Sequence, residues 1–198
     1  MIEMKHIILL IAAICLISSC ARQDKNKPHI EIQTGFGDIE VELYADQAPK
    51  TVASFLAYVD SGYFNRSTFY RVLNDENQAS NAAKTELIQG GIWKTNSKKM
   101  AALKGIPHET TQQTKILHKN GVISLARLAP GSATTEFFIC VGDQPGLDYG
   151  GENIADGQGY AAFGKVVKGM DIVRKIYQQN EDNQYFNPPV PIINIVRD

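Results

Sequence analysis

The sequence predicts a mainly β fold: a closed antiparallel barrel of about eight strands capped by two α-helices. Three observations lead there. Short segments rich in β-branched and aromatic residues recur along most of the chain, with turn residues between them. Only two segments carry a helical apolar period, and neither an internal repeat nor a second domain boundary breaks the pattern. Closure removes the sheet edges that many short strands would expose, and the helices can cover the ends. With 198 residues, 43% hydrophobic and 21% charged, the chain can bury one core.

The elements follow in order. Ile30 and Ile32, then Ile39, Val41 and Leu43, alternate with polar residues on either side of Gly35-Phe36-Gly37-Asp38, which predicts a hairpin. Pro49 opens a helix whose Val52, Phe55, Leu56 and Val59 share one face, and Ser61-Gly62 stops it. Ser67 to Leu73 reads as a strand, and the polar Asn74 to Thr85 as an exposed loop. Further strands are expected at Leu87 to Gln89, Val122 to Ala126, Phe137 to Val141, Ala161 to Val167 and Val190 to Val196. Asp171 to Tyr177 forms the second helix, with Ile172, Val173, Ile176 and Tyr177 on one side.

The N-terminus reads as a processing signal. Lys5 and His6 precede the apolar run Ile7 to Ile17, which is too short to span a bilayer comfortably, and Ser18, Ser19 and Cys20 follow. Leu16-Ile17-Ser18-Ser19-Cys20 resembles a bacterial lipobox, in which cleavage exposes a cysteine that receives a lipid. Residues 1–19 are therefore expected to be a lipoprotein signal peptide, Cys20 the lipidated residue, 20–28 a flexible tether and 29–198 the folded domain. The implied location is the bacterial cell envelope, lipid-anchored and facing the periplasm. Ala21, where some bacteria use aspartate for inner-membrane retention, leans towards the outer membrane.

Composition narrows the function. Lysine plus arginine, 20, nearly balances aspartate plus glutamate, 21, so no broad field gathers nucleic acid. Cys15 leaves with the signal and Cys20 carries lipid, so Cys140 has no disulfide partner; within Phe137-Phe138-Ile139-Cys140-Val141 it reads as a small buried hydrophobe. The four histidines lack ligand spacing, and neither a metal nor a cofactor is expected. Nothing demands more than a monomer.

Three blocks in order resemble the cyclophilins: Phe69-Tyr70-Arg71-Val72 with Ile88-Gln89-Gly90-Gly91; Gly121 to Arg127 with Phe137-Phe138-Ile139; and Gly159 to Val166. The resemblance runs from His29 to the end and implies a cyclophilin-like barrel that isomerises X-Pro peptide bonds in other polypeptides. It implies Arg71 as the catalytic donor to the proline nitrogen. It also implies a pocket of Leu87, Phe138, Leu147 and Tyr160, with Gln89, Glu136 and the backbone around Ala126 and Arg127 holding the substrate chain. The second reading is a weakly active or inactive proline-binding chaperone of the envelope.

Three positions depart from the family's commonest pattern. Glu86 stands for an aromatic, Glu136 for a glutamine and Tyr160 for a frequent histidine. Glu86 is expected to avoid the pocket floor, where a carboxylate would be desolvated, and to face solvent. Glu136 is expected to reach Arg71, forming a salt bridge that weakens the field offered to the substrate, so that activity is low and Glu136→Gln would raise it.

Overall fold

The computed structural model describes residues 27–197, so the expected signal peptide and Cys20 lie outside the described residues. The chain begins with strands β1 (His29–Thr34) and β2 (Gly37–Leu43), followed by helix α1 (Pro49–Asp60). Strands β3 (Ser67–Leu73) and β4 (Leu87–Gly91) come next, then the short helices α2 (Trp93–Ala101) and α3 (Thr111–Thr114). Strands β5 (Val122–Leu125) and β6 (Phe137–Cys140) lead through a 3-10 turn, Pro145–Leu147, to β7 (Ala161–Lys168) and helix α4 (Met170–Tyr177). The two-residue β8 (Glu181–Asp182) and long β9 (Tyr185–Arg197) finish it.

The strands run in the order β1-β2-β7-β5-β6-β4-β3-β9, and β9 pairs back onto β1 from Ile30 opposite Arg197 to Thr34 opposite Ile192. Eight antiparallel strands thus close the barrel, with β8 appended to β9. The core lies inside the barrel and under α1. Phe55 of α1 packs 5.0 Å from Phe64 and 4.9 Å from Phe163 by ring centroids, and all three are fully buried. This apolar plug holds the strands in register and so fixes what their outer faces present.

Strand alternation splits the apolar residues into two sets. On β6, Phe137 and Ile139 join the main core, whereas Phe138 and Cys140 join a smaller cluster with Leu87 and Leu147. On β3 the alternation is broken on purpose of the ladder itself: the register shifts between Phe69 and Arg71, leaving Tyr70 as the extra residue of a bulge. Strict period two would place Phe69 and Arg71 on the same face. The bulge lets Phe69 sit in the core at 0% exposure while Arg71 faces outward.

Two helices were not anticipated. Helix α2 buries none of its residues and so has no apolar stripe to reveal it. Its first amides are instead capped by a distant side chain, Glu136, whose Oε1 accepts from Ile92 N at 2.9 Å and Trp93 N at 3.1 Å. Helix α3 is a single turn closed by a reciprocal capping box between Thr110 and Gln113. Glu109 does for α1 what Glu136 does for α2, accepting from Thr51 N at 2.8 Å.

Candidate active site

A cavity of about 820 Å³ opens on the outer face of β3, β4 and β6. Arg71, Leu87, Gln89, Ala126, Arg127, Glu136, Phe138, Leu147 and Tyr160 all line it, so the fold brings together every residue named from the sequence for the pocket and its rim. It divides chemically. One part is apolar: Leu87, Phe138 and Leu147 are buried beside Cys140, and Tyr160 packs against Phe138 edge-on at 5.4 Å. Behind Phe138, His118 stacks at 5.9 Å and is held by Asp148 at 2.7 Å and Ser124 at 3.0 Å, which fixes the floor.

The other part is polar and centred on Arg71. Its Nη2 donates to Gln184 Oε1 at 2.6 Å and its Nη1 to Gln89 Oε1 at 3.4 Å. Gln89 Nε2 in turn donates to the Tyr70 hydroxyl at 2.6 Å. Gln184 Nε2 donates to the backbone carbonyl of Asn77 at 3.1 Å, tying the guanidinium's support to the segment after β3. Both acceptors of Arg71 are neutral amides, so its full positive charge remains available to the cavity.

Arg127 has a different part to play. Its side chain is 1% exposed and is gripped bidentately by Asp156, at 2.6 and 2.8 Å, while Nε donates to Gly159 O at 2.9 Å. Those bonds hold the Asp156 carboxyl down to about 2. The guanidinium also lies 5.3 Å from the Tyr160 ring, so it anchors the rim while its backbone borders the cavity.

The two glutamates need correction. Glu136 is 9% exposed and turns to the amides of Ile92 and Trp93; no ion pair joins it to Arg71 among the described residues. The orphan amides at the start of α2 claim the carboxylate that was expected to weaken Arg71. Burial pushes the Glu136 carboxyl up, against the lowering effect of Tyr70, Thr135 and these amides. Gly91 permits the arrangement, because a Cβ there would collide with the carboxylate and its φ of +145° suits only glycine. Glu86 does keep off the cavity but is half-buried rather than solvated, accepting from the Tyr177 hydroxyl at 2.6 Å.

Asn74 to Thr85 is a largely exposed loop, as expected, and its own hydrogen bonds fasten it as a flap. Asn74 Oδ1 accepts from Glu76 N and Asn77 N at 2.9 and 2.8 Å, and Lys84 Nζ donates to Asp75 O and Gln78 O at 3.0 and 2.9 Å. Gln78, Ala82, Ala83 and Thr85 thereby form one wall. Sequence reasoning also missed Trp93 and Met100 on α2, Tyr70 and Gln184. The sole tryptophan, directly after Gln89-Gly90-Gly91-Ile92, was a usable signal; Gln184, 113 residues from Arg71, offered none. No cluster of three or more His, Cys, Asp or Glu that could hold a metal occurs among the described residues.

Residues 29–197 match the family model described as "Cyclophilin type peptidyl-prolyl cis-trans isomerase/CLD". Peptidyl-prolyl cis-trans isomerase B of Escherichia coli is 37% identical over 148 residues, covering 74% of this chain and 82% of that protein. Peptidyl-prolyl cis-trans isomerase A of Dickeya dadantii is 36% identical, covering 83% of this chain and 80% of that protein. Among solved structures, a Cryptosporidium parvum cyclophilin superposes with a TM-score of 0.67 at 22% identity, over 87% of this chain and 98% of its own. A second crystal structure of that protein, obtained in the presence of the dipeptide Ala-Pro, gives 0.66 at 22% identity over 86% and 98%.

Proposed function

Because this chain belongs to the cyclophilin-type peptidyl-prolyl cis-trans isomerases, we propose that it binds the proline ring in the apolar part of the cavity and turns the X-Pro bond beneath Arg71. The chain is an isomerase of X-Pro peptide bonds, and its chemistry requires no nucleophile. Rotation breaks an amide resonance worth ~18 to 20 kcal/mol. Two devices lower that barrier. Leu87, Phe138, Leu147 and Tyr160 strip water from an amide whose charge-separated planar form water favours. As the bond twists, the lone pair localises on the proline nitrogen and becomes an acceptor for the Arg71 guanidinium.

A charge-assisted hydrogen bond contributes about 1.5 to 3 kcal/mol, so Arg71 supplies part of the effect and the apolar pocket the remainder. The observation that carries this reading is the guanidinium aimed into the cavity, held by Gln184 and Gln89 and unpaired with any carboxylate among the described residues. A non-catalytic binding module, the second reading, rested on Glu86 and Glu136; Glu136 is turned to the first amides of α2 and Glu86 to the Tyr177 hydroxyl, so neither supports it. Exchange NMR on a short X-Pro peptide tests the proposal: the protein should accelerate interconversion, and Arg71→Ala should remove most of the acceleration. Equal acceleration by that variant would take Arg71 out of the mechanism.

The setting is also proposed. Lipobox-like Leu16 to Cys20 supports anchoring of a monomer by a lipid on Cys20, facing the periplasm, where exported chains arrive unfolded and proline isomerisation limits their folding. Outer-membrane residence is the better fit to Ala21. Metabolic labelling with a fatty acid should mark the protein and fail to mark Cys20→Ala; label retained by that variant would place the anchor elsewhere.

A further inference from the structure

The isomerase reading leaves unexplained an uneven distribution of charge around the cavity. From Leu87 to His108 the sequence holds four lysines, Lys94, Lys98, Lys99 and Lys104, and no acidic residue. All four are exposed, and none lies within 4.0 Å of a carboxylate among the described residues. The helix that carries three of them also supplies Trp93 and Met100 to the cavity lining. None of the four is itself part of the lining, but Lys94 Nζ lies 4.5 Å from the centre of the Trp93 ring and 4.9 Å from that of Tyr185, whereas Lys99 Nζ is turned to the Tyr63 ring at 3.6 Å.

The flap and the segment with Glu152 carry the opposite sign. Glu152 is exposed and lines the cavity, and Asp75 and Glu76 are exposed on the flap, whose one lysine, Lys84, is spent on backbone carbonyls. Glu136 lies near the basic wall, but it is buried and its charge is directed at the first amides of α2. A net charge of −1 therefore conceals a lysine-bearing helix and a carboxylate-bearing flap beside the same cavity.

Of the walls that a chain gripped among Leu87, Phe138 and Leu147 could follow, the one that continues from Gln89 carries Trp93, with Lys94 over its ring. Resting on the isomerase reading, we infer that the acyl side of a bound X-Pro segment runs along this wall, so that Lys94 and Lys98 of α2 select proline segments with an acidic side chain in the few residues N-terminal to the proline. The attraction is between exposed charges, so it is modest and screened by salt.

The test uses three peptides that differ only in Glu, Gln or Lys two residues before the proline, with turnover read by exchange NMR, which needs no protease. The purified protein should favour Glu over Lys by about two- to tenfold in kcat/KM at low ionic strength, and the gap should close in about 0.5 M salt. Lys94→Glu with Lys98→Glu should reverse the order. Equal turnover of the three peptides by the wild type, or an unreversed order in the variant, would overturn the inference while leaving the isomerase reading intact. Failure to accelerate even the Gln peptide would sink the isomerase reading itself. Retention of the wild type but not the variant on anionic vesicles, with equal turnover of the peptides, would assign the lysines to a lipid surface and refute substrate selection.

Discussion

At the apolar side of the cavity, Leu87, Phe138 and Leu147 are positioned by β4, β6 and the turn after β6, so the barrel that buries the core also shapes the grip. At the polar side, Arg71 is positioned by side chains, Gln89 from the neighbouring strand and Gln184 from the turn between β8 and β9. The first region cannot change without disturbing the fold, whereas the second can be retuned by single amide groups. Grip and stability are therefore coupled on one side, and charge placement is separable from stability on the other.

The largest effect expected from breaking this division is on the apolar side. Phe138→Ala should lower unfolding stability by about 3 to 5 kcal/mol, read by urea denaturation, because it empties a site 2% exposed. It should weaken substrate binding at the same time. Arg71→Ala comes next: a loss of about ten- to 150-fold in kcat/KM with little change in melting temperature, since the side chain faces the cavity. A large fall in stability on Arg71→Ala would erase the distinction between the two regions.

Gln184→Met, which keeps the length but removes the acceptor, should cost about two- to tenfold in kcat/KM with the effect mainly in kcat. Gln184→Glu keeps an acceptor for Arg71 but pairs its charge and loses the donor to Asn77 O, so it should not recover full turnover. In an Arg71→Ala background the Met substitution should have no further effect on turnover, and an undiminished effect there would deny that Gln184 acts through Arg71.

The smallest effect concerns Glu136. Its carboxyl is pushed up by burial, so the folded protein binds a proton more tightly than the unfolded chain does. The associated stability is fully present below the ordinary carboxylate range and is lost as pH rises through the raised value. Glu136→Gln removes that dependence while leaving an oxygen to accept from Ile92 and Trp93. The stability of wild type relative to Glu136→Gln, from denaturation midpoints at a series of pH values, should therefore fall as pH rises; a difference that rose would reverse the sign assigned to this carboxylate.

Much of this was legible in the chain. Alternation located the first hairpin and richness in β-branched and aromatic residues the later strands, and Ser67 to Leu73 matches its strand to the residue although a bulge breaks its alternation. The pocket residues were reached through family resemblance, and closure of the barrel brings them to one cavity. Helix α2 was hidden because it is held by a cap rather than an apolar stripe, although Thr110 and Gln113 did spell out the box that makes α3. The direction of Glu136 was hidden for the same reason: its destination depends on amides left over by a helix that the pattern does not announce. Glu86 found Tyr177 across 91 residues of sequence, a pairing that no local rule foretells.

The extra residue at Tyr70 makes the reaction sensitive to counting as well as to chemistry. An unbulged strand that kept Tyr70 would swing the cation into the greasy interior, beside Phe137. Losing Tyr70 instead would straighten the ladder, leave Arg71 outward next to an inward Phe69, and forfeit the hydroxyl to which Gln89 donates. A relative of identical composition in which that irregularity had been ironed out could thus fall silent with every side chain still present.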